Sequence, residues 1–333
     1  MVIVESYSIA VMMCVITMLC WGSWANTQKL ASKDWKFQLF YWDYTIGVLI
    51  LSLILAFTMG SAGTKGANFL TNVSQAAPKT IMLALLGGVI FNLSNILLVG
   101  AIDIAGLAVA FPIGVGLALV IGVVQNYIAS PVGNATMLFT GVAGVALAII
   151  VDGLAYKKLS GAGQKTAVKG IVISILAGVL MGVFYRFVAA SMSTDFINVE
   201  AGKFTPYSAV VFFSIGVLLS NFLWNSIVMA KPFTGEPVKY GDYFKGSFKL
   251  HLIGILGGII WNIGMSFSII ASGQAGFAIS YGLGQGATMI AAFWGVFIWR
   301  EFKGASKGTN ALLALMFLLY IIGLVLIIMA RLR

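Results

Sequence analysis

Long apolar runs of nearly uniform length, separated by short polar breaks, set the pattern of this chain. Windows of about 20 apolar residues, the length that crosses a hydrocarbon core of about 30 Å, fall near residues 8–29, 39–59, 80–101, 105–126, 134–152, 170–190, 206–229, 251–272, 275–299 and 309–330. They predict ten transmembrane helices. The breaks around Asp103, Pro131 and Gly273 are so short that spans 3/4, 4/5 and 8/9 must form tight antiparallel hairpins.

Within this pattern one stretch is written twice. Residues 86 to 116 run from Leu86-Gly87-Gly88-Val89-Ile90-Phe91-Asn92 through Ala105-Gly106-Leu107-Ala108 to Gly114-Val115-Gly116. At an offset of 170 positions the chain reads Leu256-Gly257-Gly258-Ile259-Ile260-Trp261-Asn262, Ala275-Gly276-Phe277-Ala278 and Gly284-Gln285-Gly286. The ungapped pairing gives eleven identities in thirty-one positions, where roughly two or three are expected by chance in so skewed a composition. The offset maps span 3 onto span 8 and span 4 onto span 9, so each repeat carries five spans. Five is odd, and the second copy therefore enters the membrane upside down.

The fold this predicts is an all-α integral membrane protein of ten transmembrane helices in two inverted five-helix repeats. Residues 1–156 form the first repeat, 157–169 a cytoplasmic connection and 170–333 the second repeat, all within one membrane domain. Inverted repeats of this kind are a signature of secondary transporters, whose site lies near the midplane at the repeat interface and opens alternately to either side.

Composition sharpens the class. The chain of 333 residues is 60% hydrophobic and only 9% charged, with mean hydropathy +1.01, whereas a soluble globular domain carries about 25% charged residues. No length remains for an appended catalytic domain. The net charge of +10 does not point to nucleic acid, because the basic residues sit between apolar spans and form no stripe with interleaved aromatics. They report topology instead. The odd-numbered connections hold fourteen of them: Lys29, Lys33, Lys36, Lys157, Lys158, Lys165, Lys169, Lys231, Lys239, Lys245, Lys249, Arg300, Lys303 and Lys307. The even-numbered connections and tails hold five, Lys65, Lys79, Lys203, Arg331 and Arg333. Because cytoplasmic loops collect Lys and Arg, both termini are expected outside.

The remaining punctuation bears on chemistry. Cys14 and Cys20 fall inside the first span, at a spacing that suits neither a disulfide framework nor a metal site, and read as small core residues. That span is too long and too rich in Trp, Asn and Gln for a signal peptide, so residue 1 is read as the mature start. Gly282-Leu283-Gly284-Gln285-Gly286 follows no strand and is not a nucleotide fingerprint. Gly161-Ala162-Gly163-Gln164-Lys165-Thr166 has Gln where a P-loop needs Gly before its Lys. No cofactor or metal is expected.

Polar residues at bilayer depth are costly and are functional candidates by default. Asn92 and Asn262 stand about halfway down spans 3 and 8 in both copies; a solute contact or an interhelical hydrogen bond accounts for them equally. Tyr281 and Gln285, one turn apart in span 9, share a face with its glycines. Phe111 and Trp261 offer flat apolar walls for a sugar ring or a planar ureide, and Trp21 lies in the aromatic cluster closing span 1. Arg186, inside span 6, reads as a substrate or gate residue or as a snorkelling structural one. Asp43, with Lys29 as its expected partner, reads as a proton-coupling carboxylate or a structural ion pair. His251 is expected to be solvated at the mouth of span 8. Pro112, Gly114 and Gly116 in span 4 and Gly282, Gly284 and Gly286 in span 9 predict interrupted, bendable segments at matching positions, although close helix packing also uses small residues.

Trp21-Gly22-Ser23-Trp24-Ala25-Asn26-Thr27 followed by Tyr41-Trp42-Asp43-Tyr44 resembles the signature of the ureide permease family and its bacterial relatives. That family lies within the drug/metabolite transporter superfamily, near the glucose/ribose porters and rhamnose–proton symporters. The resemblance implies ten helices in two inverted repeats, a central cavity lined by spans 1, 3, 4, 6, 8 and 9, and proton coupling. Plant members carry a long connection 5/6 with a P-loop-like motif, of which this chain keeps a short remnant.

The expected function is secondary active, proton-coupled transport of a small polar solute, a sugar or a ureide or nucleobase-like compound, by alternating access. The expected location is a cell membrane, a bacterial inner membrane by the resemblance, with lipid and the solute as partners. The competing readings are an exporter of amphipathic drugs or metabolites, and a channel or lipid-handling protein. A membrane enzyme needs acids or histidines clustered at one depth, and Asp43, Asp103, Asp152 and His251 are scattered along the chain.

Overall fold

The computed structural model describes residues 1–31, 35–160 and 168–332. Lys33, Lys165 and Arg333, counted above for topology, and the P-loop-like residues 161–166 lie outside the described residues. Among the described residues, ten helices are long and apolar enough to cross a membrane: spans 1 to 10 are Tyr7–Ala31, Phe37–Phe57, Pro78–Ala105, Val109–Ala129, Ala135–Leu159, Val168–Ser191, Pro206–Ala230, Phe248–Ala275, Phe277–Ile298 and Lys307–Met329. Each begins or ends within a few residues of the window that predicts it.

The 170-residue offset is visible in the backbone. Spans 3 and 8 both run 28 residues, start 170 positions apart and stop at a single glycine, Gly106 at φ 79°, ψ 156° and Gly276 at φ 82°, ψ 152°. That combination of angles is open essentially to glycine alone, so each 3/4 and 8/9 hairpin turns on one residue that nothing else can replace without strain.

The helix contacts obey the same symmetry. Span 3 packs on spans 6 and 7, and span 8 packs on spans 1 and 2; span 4 lies on span 6 as span 9 lies on span 1; span 5 pairs with span 10. Glycines set the closest crossings. A Cβ on Gly88 would stand 2.1 Å from the Phe213 carbonyl oxygen, and one on Gly258 would stand 2.0 Å from that of Tyr44. From the facing helices, Gly216 and Gly47 meet the Leu85 and Ile255 carbonyls at 2.2 and 2.1 Å in the same sense. Each repeat is thus clasped by a helix of the other, through van der Waals contact that stands in for the hydrophobic effect inside a membrane.

The two faces of the bundle differ. On one, the amino terminus reaches the Lys65 carbonyl, Asn72 bridges to Lys203 and Thr205, Asn134 N–H donates to Ala330, and Arg331 donates to Gln274. On the other, the lysine-rich connections meet: Lys29 pairs with Glu301 at 2.9 Å, and Lys36 donates to the Glu236 carbonyl. Span 9 finishes there in a widened turn, Trp294–Ile298, followed by Arg300 at φ 53°. This left-handed residue swings Glu301 back towards span 1.

Span 4 remains one helix, Leu107–Ala129, through Pro112, whereas span 9 is interrupted between Phe277–Gly284 and Ala287–Phe293. The expected matching interruption is therefore present in the second repeat only. Pro112 lies inside the helix and removes one ladder hydrogen bond without breaking it, and Val115 separates Gly114 from Gly116. In span 9, Gly282, Gly284 and Gly286 together weaken the helix, and the Gln285 N–H turns to the Tyr281 and Leu283 carbonyls.

Candidate functional site: a cavity at the repeat interface

A cavity of about 410 Å³ enters from the lysine-rich face and reaches the middle of the bundle. Seven spans line it. Span 1 supplies Trp21, Trp24 and Gln28; span 3 supplies Phe91, Asn95 and Asp103; span 4 supplies Phe111, Gly114 and Ala118. Span 5 contributes Asp152 and Tyr156, span 6 Met181 and Phe184, span 8 Trp261, and span 9 Gln285 and Thr288.

Aromatic rings make its inner end. Phe91 and Trp261 occupy equivalent positions in the two repeats, and their rings meet at 4.4 Å, so the pseudo-twofold axis passes between them. Trp21 stacks on Trp261 at 5.9 Å and 16°, held by its indole N–H donating to the Trp261 carbonyl at 3.1 Å. Phe213 backs Trp261 from behind at 5.9 Å, and Phe184 packs on Phe91 at 5.1 Å. Such a floor suits the face of a planar ring. Polar groups sit on its flanks: Asn95, steadied by donation to the Tyr41 hydroxyl at 3.0 Å, Gln285 at the break in span 9, Thr288 and Asp152.

Beyond the floor the bundle is shut. Tyr185, Ser268 and Ser280 share hydroxyl hydrogen bonds of 3.1 to 3.2 Å across spans 6, 8 and 9. Tyr281 donates to the Ala118 and Met181 carbonyls, lies 5.0 Å from the Tyr185 ring and fills the notch left by Gly122. The site is open to one face and closed to the other.

Of the residues singled out in the sequence, Trp21, Phe111, Trp261 and Gln285, together with Gly114 from the glycine-rich part of span 4, border the cavity. Asn92 and Asn262 do not. Asn92 donates to the Val217 carbonyl and the Ser220 hydroxyl on span 7, and Asn262 to the Val48 carbonyl on span 2. One residue is about 100° of helix rotation, so Phe91 and Trp261 face the cavity while the amides beside them face the neighbouring helix. Tyr281 belongs to the closed end; Arg186, Pro112, Gly116, Gly282, Gly284 and Gly286 lie outside the lining.

Asp43 is also elsewhere. It is buried at the start of span 2 and accepts from the Tyr243 hydroxyl at 2.6 Å and from His251 Nδ1 at 3.0 Å. Its expected partner Lys29 pairs with Glu301 instead, and His251 is held by a hydrogen bond to Asp43, with its ring set T-shaped against Trp35, rather than left to solvent. Burial, then the neighbouring Asp43 carboxylate, pushes the Tyr243 hydroxyl well above the ordinary tyrosine value, which keeps it a proton donor to Asp43.

Sequence reading missed Asp152, Tyr156, Thr288, Asn95, Met181 and Phe184. Span 5 was not expected in the lining at all. A single acid in an apolar run resembles any interfacial residue, and only Asp152's depth, two turns from the end of its span, marked it.

Ten spans in a twofold arrangement, with a solute-sized cavity at the axis open to one face alone, define a membrane transporter. The chain belongs to the ureide permease family, whose sequence model matches residues 40–167 and 157–331. It is 24% identical over 386 aligned positions to ureide permease 1 of Arabidopsis thaliana, covering 97% of each chain, and 23% identical to ureide permease 2 of the same plant over 96% of each. The probable ureide permease A3 of Vigna unguiculata is 29% identical over 155 residues, 45% of this chain and 41% of that one. A crystal structure 15% identical in sequence superposes with TM-score 0.63 over 98% of this chain and 99% of the other, which shows the shared fold. The protein is a permease, not an enzyme.

Proposed function

We propose that this permease carries a small planar, nitrogen-rich solute of the ureide or nucleobase type by alternating access, coupled to protons. The observation that carries the reading is the cavity floor. Trp21, Trp261 and Phe91 offer faces to a flat ring, while Asn95 and Gln285 offer the paired donors and acceptors that an amide or ureide edge needs. Among the described residues no Lys, Arg or His lines the cavity, which disfavours anionic solutes. The names of the Arabidopsis relatives support the solute class.

Alternating access is supported by the closure beyond the floor, which a continuous pore would lack, and by the pseudo-symmetry, which supplies a second arrangement with the opposite face open. Aromatic floors also receive sugars, and a solute screen separates the two. Purified protein in liposomes loaded with allantoin or uracil is expected to show saturable counterflow of the labelled solute, with glucose and ribose inert. Counterflow of the sugars alone, or linear unsaturable flux, would refute the reading.

A further inference from the structure

Asp152 is the acid that the cavity leaves without an answer. It lies on span 5 about 10 Å from the end of the helix, counted at 1.5 Å per residue, and is 6% exposed. It borders the cavity, and its Oδ1 is buried with no hydrogen-bond partner. An ionised carboxylate there has given up water at Oδ1 without a hydrogen bond in return.

Its neighbours do not neutralise it. Tyr156, one turn along the same helix, gives its hydroxyl to Glu301 Oε2 at 2.9 Å, and Lys29 occupies Glu301 Oε1 at 2.9 Å. Glu301 stands close enough to Asp152 to act on it electrostatically, and with the same sign of charge. Span 10 presents the buried Tyr320. Spans 4 and 9, the other helices near it, contain no Asp, Glu, Lys, Arg or His. Asp103 lines the same cavity from span 3 and adds a further acid. What remains to balance Asp152 is a proton from water on the lysine-rich face.

We propose that Asp152 is the carboxylate that carries the coupling proton. With the cavity open to the lysine-rich face, hydronium gives its proton to Oδ1: an O–H bond forms on Asp152, one breaks on hydronium, and water leaves. The reverse step releases the proton once the opposite face opens. This assignment rests on the transport reading above and moves the proton site from Asp43, which two donors already satisfy, to the wall of the cavity.

The test uses the full chain in liposomes, with allantoin and uracil as probes. Asp152→Asn is expected to lose accumulation driven by a pH gradient by about tenfold or more, the ordinary scale of coupling between two sites, while counterflow persists at a lower rate. Asp152→Glu is expected to recover accumulation in part, and Asp43→Asn to keep the wild-type ratio of accumulation to counterflow. Gradient-driven accumulation surviving in Asp152→Asn overturns the assignment, as does equal loss of accumulation and counterflow in a folded variant. If the wild type moves neither probe, the transport reading fails on its own. Asp152 is then read by pH-difference infrared spectra: a protonated-carboxyl band present in wild type and absent from Asp152→Asn supports it, and identical spectra overturn it.

Discussion

Three glycine-to-alanine substitutions separate close packing from bending. At Gly88 the new Cβ would lie 2.1 Å from the Phe213 carbonyl oxygen and at Gly258 2.0 Å from that of Tyr44, where ordinary contact begins near 3.4 Å. Spans 3 and 7, or 8 and 2, must therefore separate by about 1.3 Å, because a backbone carbonyl cannot rotate aside as a side chain can. Overpacking costs about 1–3 kcal/mol, and the upper half of that range applies where the obstacle is backbone. A gap of 0.5–1 Å forfeits about a quarter to a half of each dispersion contact around the crossing. Alanine recovers about 1 kcal/mol as the better helix former. The net expectation is a loss of about 2 kcal/mol for either variant, equal by pseudo-symmetry, and about twice that for the pair, whose members share no partner.

Gly116 reverses the sign. Nothing lies within 4 Å of a Cβ there, and its backbone is helical, so Gly116→Ala should gain about 0.5–1 kcal/mol. Reversible unfolding in mixed micelles with increasing SDS measures all four proteins. Neutral Gly88→Ala and Gly258→Ala variants, or a Gly116→Ala variant as unstable as they are, would refute the packing argument. Slower transport in a more stable Gly116→Ala protein assigns that glycine to bending.

Other outcomes follow from the same geometry. Asn92→Ala and Asn262→Ala should each lower stability by about 0.6–1.7 kcal/mol, the range for interhelical hydrogen bonds in membranes, with transport per folded molecule retained; abolished uptake in a stably folded double variant would return these amides to the solute pathway. Trp261→Ala should weaken solute affinity by about 1–3 kcal/mol, the value of one stacked aromatic face, in equilibrium binding by calorimetry, and Trp261→Phe should restore most of it. The Asp195 carboxyl is held below the usual carboxylate range by the Asn198 side chain and by the backbone N–H groups of Asn198 and Ile197. A lowered value means that the charged form is the bound one, so this order is present above the unfolded value and lost as pH falls through the lowered one. Hydrogen exchange at Ile197 and Asn198 should therefore accelerate in acid, and an unchanged rate would refute it.

Much of the architecture was legible because it is dictated by solvent. Runs of apolar residues, the doubled stretch and the sidedness of lysine each follow from what a bilayer permits, and they led to ten spans and their pairing. The cavity was legible where a residue type is rare enough to stand out, as at Trp21, Trp261 and Gln285. It was not legible where facing decides. Asn92 beside Phe91 looks the more functional of the two in one dimension, yet the helix turns it towards span 7. Pairings between distant residues were hidden as well: His251 finds Asp43 from 208 positions away and Glu301 finds Lys29 from 272, and no local pattern announces either. Asp152 combined both difficulties, being one acid whose meaning depends on six other helices.

The clasp between repeats has a consequence for how the protein is made. The grooves at Gly47 and Gly88 close on spans 8 and 7, which leave the ribosome only after the first five spans have entered the bilayer. Until then spans 2 and 3 hold notches shaped for helices that do not yet exist, and lipid or the insertion machinery must fill them. The first half is a waiting template rather than a finished unit. The two halves produced as separate chains should assemble only when expressed together, each serving as the other's scaffold.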